Sequence, residues 1–243
     1  MSEFLDLFKN PKPLLAMLHG VKGTDAEVLE CMKVEFDIYQ RNGVDAVIVE
    51  NYFCTPEQME MSLEYVMKNK GDVVVGNNLL DDVKGNFALA RKYGTAFMQE
   101  DSVCGHLTLE DDAPFEAYIK DEIAKTPAKL LGGVRFKYQP YLSGRPLDVD
   151  LKLGMERCHA IAVTGEGTGM ETSVSKIQEF RDICGDFPLV VAAGLTMDNL
   201  VPSMTIGDAC VVGSYLKDGH DAHGRVNEEY VKEFMEGLKR LRG

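Results

Sequence analysis

Three neighbouring stretches decide the fold: GVDAVIVEN at residues 43–51, TPEQMEMSLEYVMKN at 55–69 and DVVVGNNLL at 72–80. The first and third are continuous runs of Val, Ile and Ala rather than a polar–apolar alternation. That is how a strand covered on both faces of a parallel sheet reads. The middle stretch opens with Thr55-Pro56, a capping residue followed by a proline at the first helical position, so it begins a helix. Strand, helix and strand in this order form the repeating unit of a parallel sheet.

The same beat continues outward in both directions. Apolar runs recur as PLLAMLHG (13–20), AVIVEN (46–51), DVVVGNNLL (72–80), TAFMQED (95–101), KLLGGVRFKY (129–138), AIAVTG (160–165), PLVVAAG (188–194) and ACVVGSYL (209–216). Between them lie amphipathic segments over 25–42, 55–70, 81–93, 109–125, 148–158, 172–184, 197–204 and 227–242. In the first, Val28, Leu29, Met32, Phe36 and Tyr39 recur at helical spacing; Gly43, Gly94 and Gly185 sit where a left-handed helix end is wanted. Eight such units predict an α/β chain of the (β/α)8 TIM-barrel class. A doubly wound open sheet is disfavoured, because the first turn, HGVKGTD, lacks the GxGxxG pattern of that fold. No linker or charge block divides the chain, so residues 1–243 are expected to form one domain, with 1–12 capping the N-terminal face of the barrel.

The 243 residues carry 26 Lys and Arg against 39 Asp and Glu, a net charge of −13 that argues against nucleic acid as a partner. Six cysteines without CxxC spacing read as free thiols. With no long apolar run and no signal-peptide pattern in MSEFLDLFKNPKP, the expectation is a cytoplasmic chain without a membrane span. Apolar helix surface suggests a homo-oligomer.

In a barrel of this class, chemistry sits where strands run out into βα loops. The polar residues there are His19, Glu50, Asn51, Asn77, Asn78, Gln99, Glu100, Asp101, Arg135, Lys137, Thr164, Ser214 and Lys217. Glu50 follows AVIV and is therefore deep in the sheet. Burying it unpaired costs several kcal/mol, which a neighbouring cation such as Lys137 or Arg135 would relieve. The same setting tunes a carboxylate for acid–base work. Lys137, with Arg135 two residues earlier on the same strand face, suits an oxyanion or phosphate. Glycine-rich turns at Thr164-Gly165-Glu166-Gly167-Thr168-Gly169, at Gly194 and at Gly213-Ser214 offer bare amides for an anion. We therefore expect Glu50, Lys137, His19 and Asn78 as catalytic candidates. Asn51, Asn77, Arg135, Thr164, Gly165, Gly167, Thr168, Gly169, Gly194, Gly213 and Ser214 are the binding candidates. No metal ligands are assigned: His220 and His223 read as a solvated loop, and Mg²⁺ would need Glu50, Glu100 and Asp101 to converge. Glu110, Asp111 and Asp112 read as an exposed first helical turn.

Several of these segments resemble the BtpA/SgcQ family: VTGEGTG (163–169) with KIQEFRDI behind it, VVGSYLKDG (211–219) with VNEEYVKEFM (226–235), and GVDAVIVEN (43–51). PLLAMLHG resembles that family's first strand, and VRFKYQPYL (134–142) its fifth, where a lysine is usual at the position of Lys137. The resemblance implies a (β/α)8 barrel related to phosphate-binding barrels. Its members are named for photosystem I biogenesis or for a place in sugar-metabolism gene clusters. The chain departs from the pattern at GVKGTDAE (20–27), at 52–55, at Tyr138 and in the acidic stretch 99–112.

Together these readings predict an enzyme using acid–base chemistry on a small phosphorylated sugar, nucleoside or nucleotide. Isomerisation, lyase chemistry and C–N cleavage all remain compatible. The alternative is a non-catalytic assembly or regulatory factor that keeps the anion pocket.

Overall fold

The computed structural model describes residues 2–243. Every apolar run becomes a strand and every amphipathic segment a helix. In chain order these are β1 (Leu14–Leu18), α1 (Asp25–Arg41), β2 (Ala46–Glu50), α2 (Pro56–Asn69), β3 (Val74–Asn78), α3 (Val83–Tyr93), β4 (Phe97–Cys104), α4 (Leu109–Ile123), β5 (Lys129–Val134), α5 (Leu147–Met155), β6 (Ala160–Val163), α6 (Val174–Cys184), β7 (Leu189–Ala192), α7 (Leu200–Ile206), β8 (Ala209–Val212) and α8 (Glu228–Arg242). All strands pair in parallel, and β8 returns to β1, closing a (β/α)8 TIM barrel.

Helix starts follow local chemistry. Thr24 and Thr55 each form a capping box, with Glu27 and Gln58 reaching back to the cap amide. After β7 the cap is Asn199, so α7 begins at Leu200, later than the segment 197–204 implied, and is short.

Strand parity builds two cores. Leu15, Met17, Ala46, Ile48, Phe97, Leu131, Ala160, Ala162, Val190, Ala192, Ala209 and Val211 fill the barrel interior. Their neighbours, such as Leu14, Ala16, Val47, Val49 and Met98, pack outward against the helices. At the N-terminal end Phe4 and Phe8 meet Phe97 edge-on at 5.7 and 6.2 Å, so an aromatic cluster closes the bottom of the barrel. A salt-bridged layer lies outside. Asp112, expected in an exposed turn, is instead 2% exposed, because Arg157 and Arg145 both donate to it; Glu110 and Asp111 do face solvent. No helix among the described residues is long and apolar enough to cross a membrane. All six cysteines are free thiols, as the spacing implied.

Candidate functional site

Continuing the inward parity past the apolar layers leads to polar side chains at the C-terminal mouth. After Met17 comes His19, after Ile48 comes Glu50, and after Gly76 comes Asn78. After Phe97 come Gln99 and Asp101, and after Val211 comes Gly213. His19, Glu50, Gln99, Asp101 and Gly213 line one cavity of about 230 Å³, together with Lys137, Thr168, Gly169, Gly194 and Ser214.

Glu50 is 5% exposed. Its Oε1 accepts from the Asn78 amide at 2.7 Å, and Oε2 lies 3.5 Å from His19 Nε2. Burial, with Asp101 close by, pushes this carboxyl up to about 8, against the opposing pull of Lys137, Asn78 and Lys217. Glu50 is therefore largely protonated at neutral pH. Burial, followed by the charges of Lys217 and Lys137, drives His19 well below its ordinary range, so its ring is neutral. Asn78 also donates to Asp101 at 3.3 Å, and Gln99 to the same oxygen at 2.9 Å. Burial raises Asp101 as well.

The cations are not where the sequence implied. Neither Lys137 nor Arg135 forms an ion pair with Glu50. Lys137 donates from its backbone N to Thr164 at 2.9 Å and from Nζ to Thr168 at 3.1 Å, which leaves its ammonium at the cavity without a carboxylate among the described residues. Arg135 leaves the site altogether. β5 stops at Val134, and Arg135 adopts φ 50°, which breaks the alternation that would have aligned it with Lys137. It pairs with Asp150 at 3.2 Å and stacks over Tyr141, while Phe136 takes the inward position. Lys217, only 1% exposed, donates to the Ala222 carbonyl at 3.0 Å and adds positive field behind His19.

Other candidates separate by parity. Asn77 points outward and is consumed by Asn86 and Thr95. The Asn51 side chain accepts from the Leu80 amide at 2.8 Å and stays outside the cavity. Thr164, Gly165 and Gly167 are likewise not on its wall. Thr164 instead fixes Lys137, and a side chain at Gly165 would strike the carbonyls of Met170 and Glu171.

Thr168, Gly169, Gly194, Gly213 and Ser214 do line the cavity. The amides of Gly194, Leu195 and Ser214 have no protein acceptor among the described residues, which is what an anion cradle needs. Gly213 is required by proximity: a Cβ there would lie 2.7 Å from His19 Cε1. Four non-glycine residues on the cavity wall, Asp81, Tyr138, Ala193 and His220, hold left-handed φ of 61°, 62°, 85° and 55°. Such backbone costs about 1–3 kcal/mol per residue and gathers at functional sites.

Tyr52 and Tyr138 were not expected at the site, and Gln99 and Asp101, though among the strand-end polar residues, were not among the catalytic or binding candidates. Tyr52 Oη lies 3.1 Å from Thr168 Oγ1, and Tyr138 Oη accepts from the Thr168 amide at 2.8 Å, which ties three loops across the mouth. Gln99 and Asp101 share parity with Phe97, a signal present in the sequence. The Glu50, Glu100 and Asp101 carboxylates do not converge on one point, and no cluster of three or more potential ligands exists among the described residues. Glu100 turns outward, toward Asn86 of α3.

The profile of the BtpA family matches residues 13–240. An uncharacterized protein of Pyrococcus abyssi is 26% identical, with 96% of this chain and 98% of that one aligned. The sgc region protein SgcQ of Escherichia coli is 24% identical over the full length of both chains. Among solved structures, thiamine phosphate pyrophosphorylase from Pyrococcus furiosus superposes with a TM-score of 0.64 at 11% identity, covering 99% of this chain and 100% of that one. Phosphoribosyl anthranilate isomerase from Thermus thermophilus gives 0.62 at 14%, covering 95% and 100%. At such identities the structural likeness speaks for the barrel alone. The profile spans nearly every strand and helix, and on that ground the chain belongs to the BtpA family.

Proposed function

We propose that this chain is an enzyme that binds a small phosphorylated metabolite and works on it by acid–base chemistry, as an isomerase or a lyase. The substrate class is a phosphorylated sugar, nucleoside or nucleotide, met in the cytoplasm. The observation that carries the reading is a buried Glu50, its carboxyl pushed up to about 8, held by Asn78 and beside His19 in the same cavity as Lys137 and the bare amides of Gly194 and Ser214. In this reading the late loops grip the phosphate, and Glu50 delivers its proton to a substrate oxygen as charge develops there. Lys137 opposes that negative charge. The carboxylate left behind is then the base that recovers the proton. A cavity of about 230 Å³ suits a compact ligand. Two structural neighbours carry phosphate-bearing compounds in their names, which agrees with this substrate class.

A thermal-shift screen of phosphorylated metabolites tests the proposal. A hit should stabilise the native chain, lose that effect in Lys137→Ala, and keep it while losing turnover in Glu50→Gln. A screen without hits, or hits indifferent to Lys137, would remove the reading.

A further inference from the structure

The loop after β8, expected to be a solvated one, folds back onto the cavity. Its base is closed by an antiparallel bridge between Lys217 and Val226, and the Asp218 amide donates to the Arg225 carbonyl at 2.8 Å. Lys217, 1% exposed, ties the loop from inside through the Ala222 carbonyl. Within it Gly219 and His220 both hold left-handed φ, 66° and 55°, a turn that sets the His220 ring over Tyr215. His223 is turned elsewhere, onto Phe53 at 4.5 Å and to Asp221.

The His220 ring is held by three contacts. It stacks on Tyr215 at 4.4 Å with 4° between the planes, and it packs against Tyr230 of α8 at 4.5 Å and 30°. Its Nδ1 lies 2.7 Å from the Tyr215 carbonyl oxygen. A carbonyl only accepts, so the proton of the neutral ring sits on Nδ1 and Nε2 keeps its lone pair. Nε2 has no protein partner among the described residues, and His220 lines the same cavity as Gly194 and Ser214. With its ring packed on tyrosines and Nδ1 spent, what His220 offers that cavity is the Nε2 edge.

The cavity is short of groups that can meet a dianion. A phosphate ester carries about two negative charges at neutral pH. Lys137 is the one lysine or arginine on the wall among the described residues, while Glu50, Asp81 and Asp101 line it as well. The other imidazole there, His19, is buried and neutral.

We infer that His220 is a ligand of the phosphate, its Nε2 edge completing the cradle that the Gly194 and Ser214 amides begin. The inference deepens the proposed function and rests on its phosphate reading. Nε2 and a phosphate oxygen both bear lone pairs, so the contact holds one proton between them, on the ring as an imidazolium or on the phosphate as a hydroxyl. In the first case both ring nitrogens donate, Nδ1 to Tyr215 and Nε2 to the phosphate.

Two substitutions separate a ligand from a packing residue. Phenylalanine keeps a flat ring against the tyrosines and has no Nε2, whereas glutamine gives up the ring and can set its amide nitrogen near the Nε2 position. In calorimetry of inorganic phosphate on the full chain, His220→Phe should bind at least about ten-fold more weakly than the native chain, and His220→Gln within about three-fold of it. Nitrogen-15 spectra of the histidine side chains read the unaltered protein. Phosphate should move the His220 Nε2 resonance in step with calorimetric saturation, the signal being assigned by its loss in His220→Gln. If phosphate binds while that resonance stays still, or if His220→Phe binds like the native chain and His220→Gln does not, the inference fails and the phosphate reading stands. If inorganic phosphate does not bind the native chain at all, both fail together.

Discussion

Replacing Glu50 with glutamine should stabilise the protein, and by an amount that depends on pH. The carboxyl ionises at about 8 in the folded chain against an ordinary 4.5. Below pH 4.5 both folded and unfolded chains hold the proton, so the group contributes nothing. Above that point the unfolded chain releases its proton while the folded chain keeps it. Stability therefore falls as pH rises, at about 1.4 kcal/mol per pH unit, until the folded chain ionises as well. Across the window from 4.5 to about 8 this amounts to roughly 5 kcal/mol, an upper figure because local relaxation and water entry soften burial. Glutamine can keep the Asn78 contact and cannot ionise. Glu50→Gln should thus match the native chain near pH 4.5, gain steadily through pH 6 and 7, and level off above about pH 8. For a chain of this size a gain of 3–5 kcal/mol raises the melting temperature by roughly 10 °C. Scanning calorimetry of both proteins at half-unit intervals from pH 4.5 to 9 reads the curve directly. A stability difference that does not change with pH would mean Glu50 ionises normally and would refute the reasoning.

Arg157→Met leaves the buried Asp112 with Arg145 and the half-buried Glu116 with Lys120 as their remaining partners, and should cost up to about 3 kcal/mol at neutral pH by chemical denaturation. Because Arg157, and then Arg145, hold Asp112 down at about 2, that penalty should shrink as pH falls below the ordinary 3.8 toward 2, where the carboxylate protonates anyway. Phe4→Ala removes a fully buried ring from the barrel floor and should cost about 3–5 kcal/mol; a loss under 1 kcal/mol would show that the segment does not plug the barrel. Gly213→Ala forces the His19 ring aside, so the imidazole resonances of His19 should move while the far-ultraviolet circular dichroism stays native. Turnover of any substrate found by the screen should fall above pH 8, as Glu50 loses its proton, and rates flat to pH 10 would remove its role as an acid.

The eight-unit architecture was legible because buried parallel strands and amphipathic helices leave unmistakable patterns. Even the ring of polar residues at the strand ends could be read directly. Face was harder. Asn77 and Asn78 are adjacent and chemically identical, yet one is locked into the outer layer by Asn86 and the other bridges Glu50 to Asp101. Counting parity from Gly76 separates them, and the same count from Phe97 finds Gln99 and Asp101. Parity in turn misleads at Arg135, since a left-handed residue just past β5 reverses the faces and hands the inward position to Phe136. Nothing in the local composition marks that reversal. Long-range partners were equally hidden: Arg157 lies 45 residues from Asp112, and only the closed barrel brings them together.

The proposed function stands or falls on the mouth of this barrel pairing a proton-bearing Glu50 with an anion cradle. A crystal structure grown with inorganic phosphate tests it most directly. Phosphate is expected within hydrogen-bonding distance of the Gly194 and Ser214 amides, with Lys137 Nζ turned toward it and Glu50 still bonded to Asn78. Phosphate bound elsewhere on the chain, with those amides left bare at saturating concentration, would contradict it.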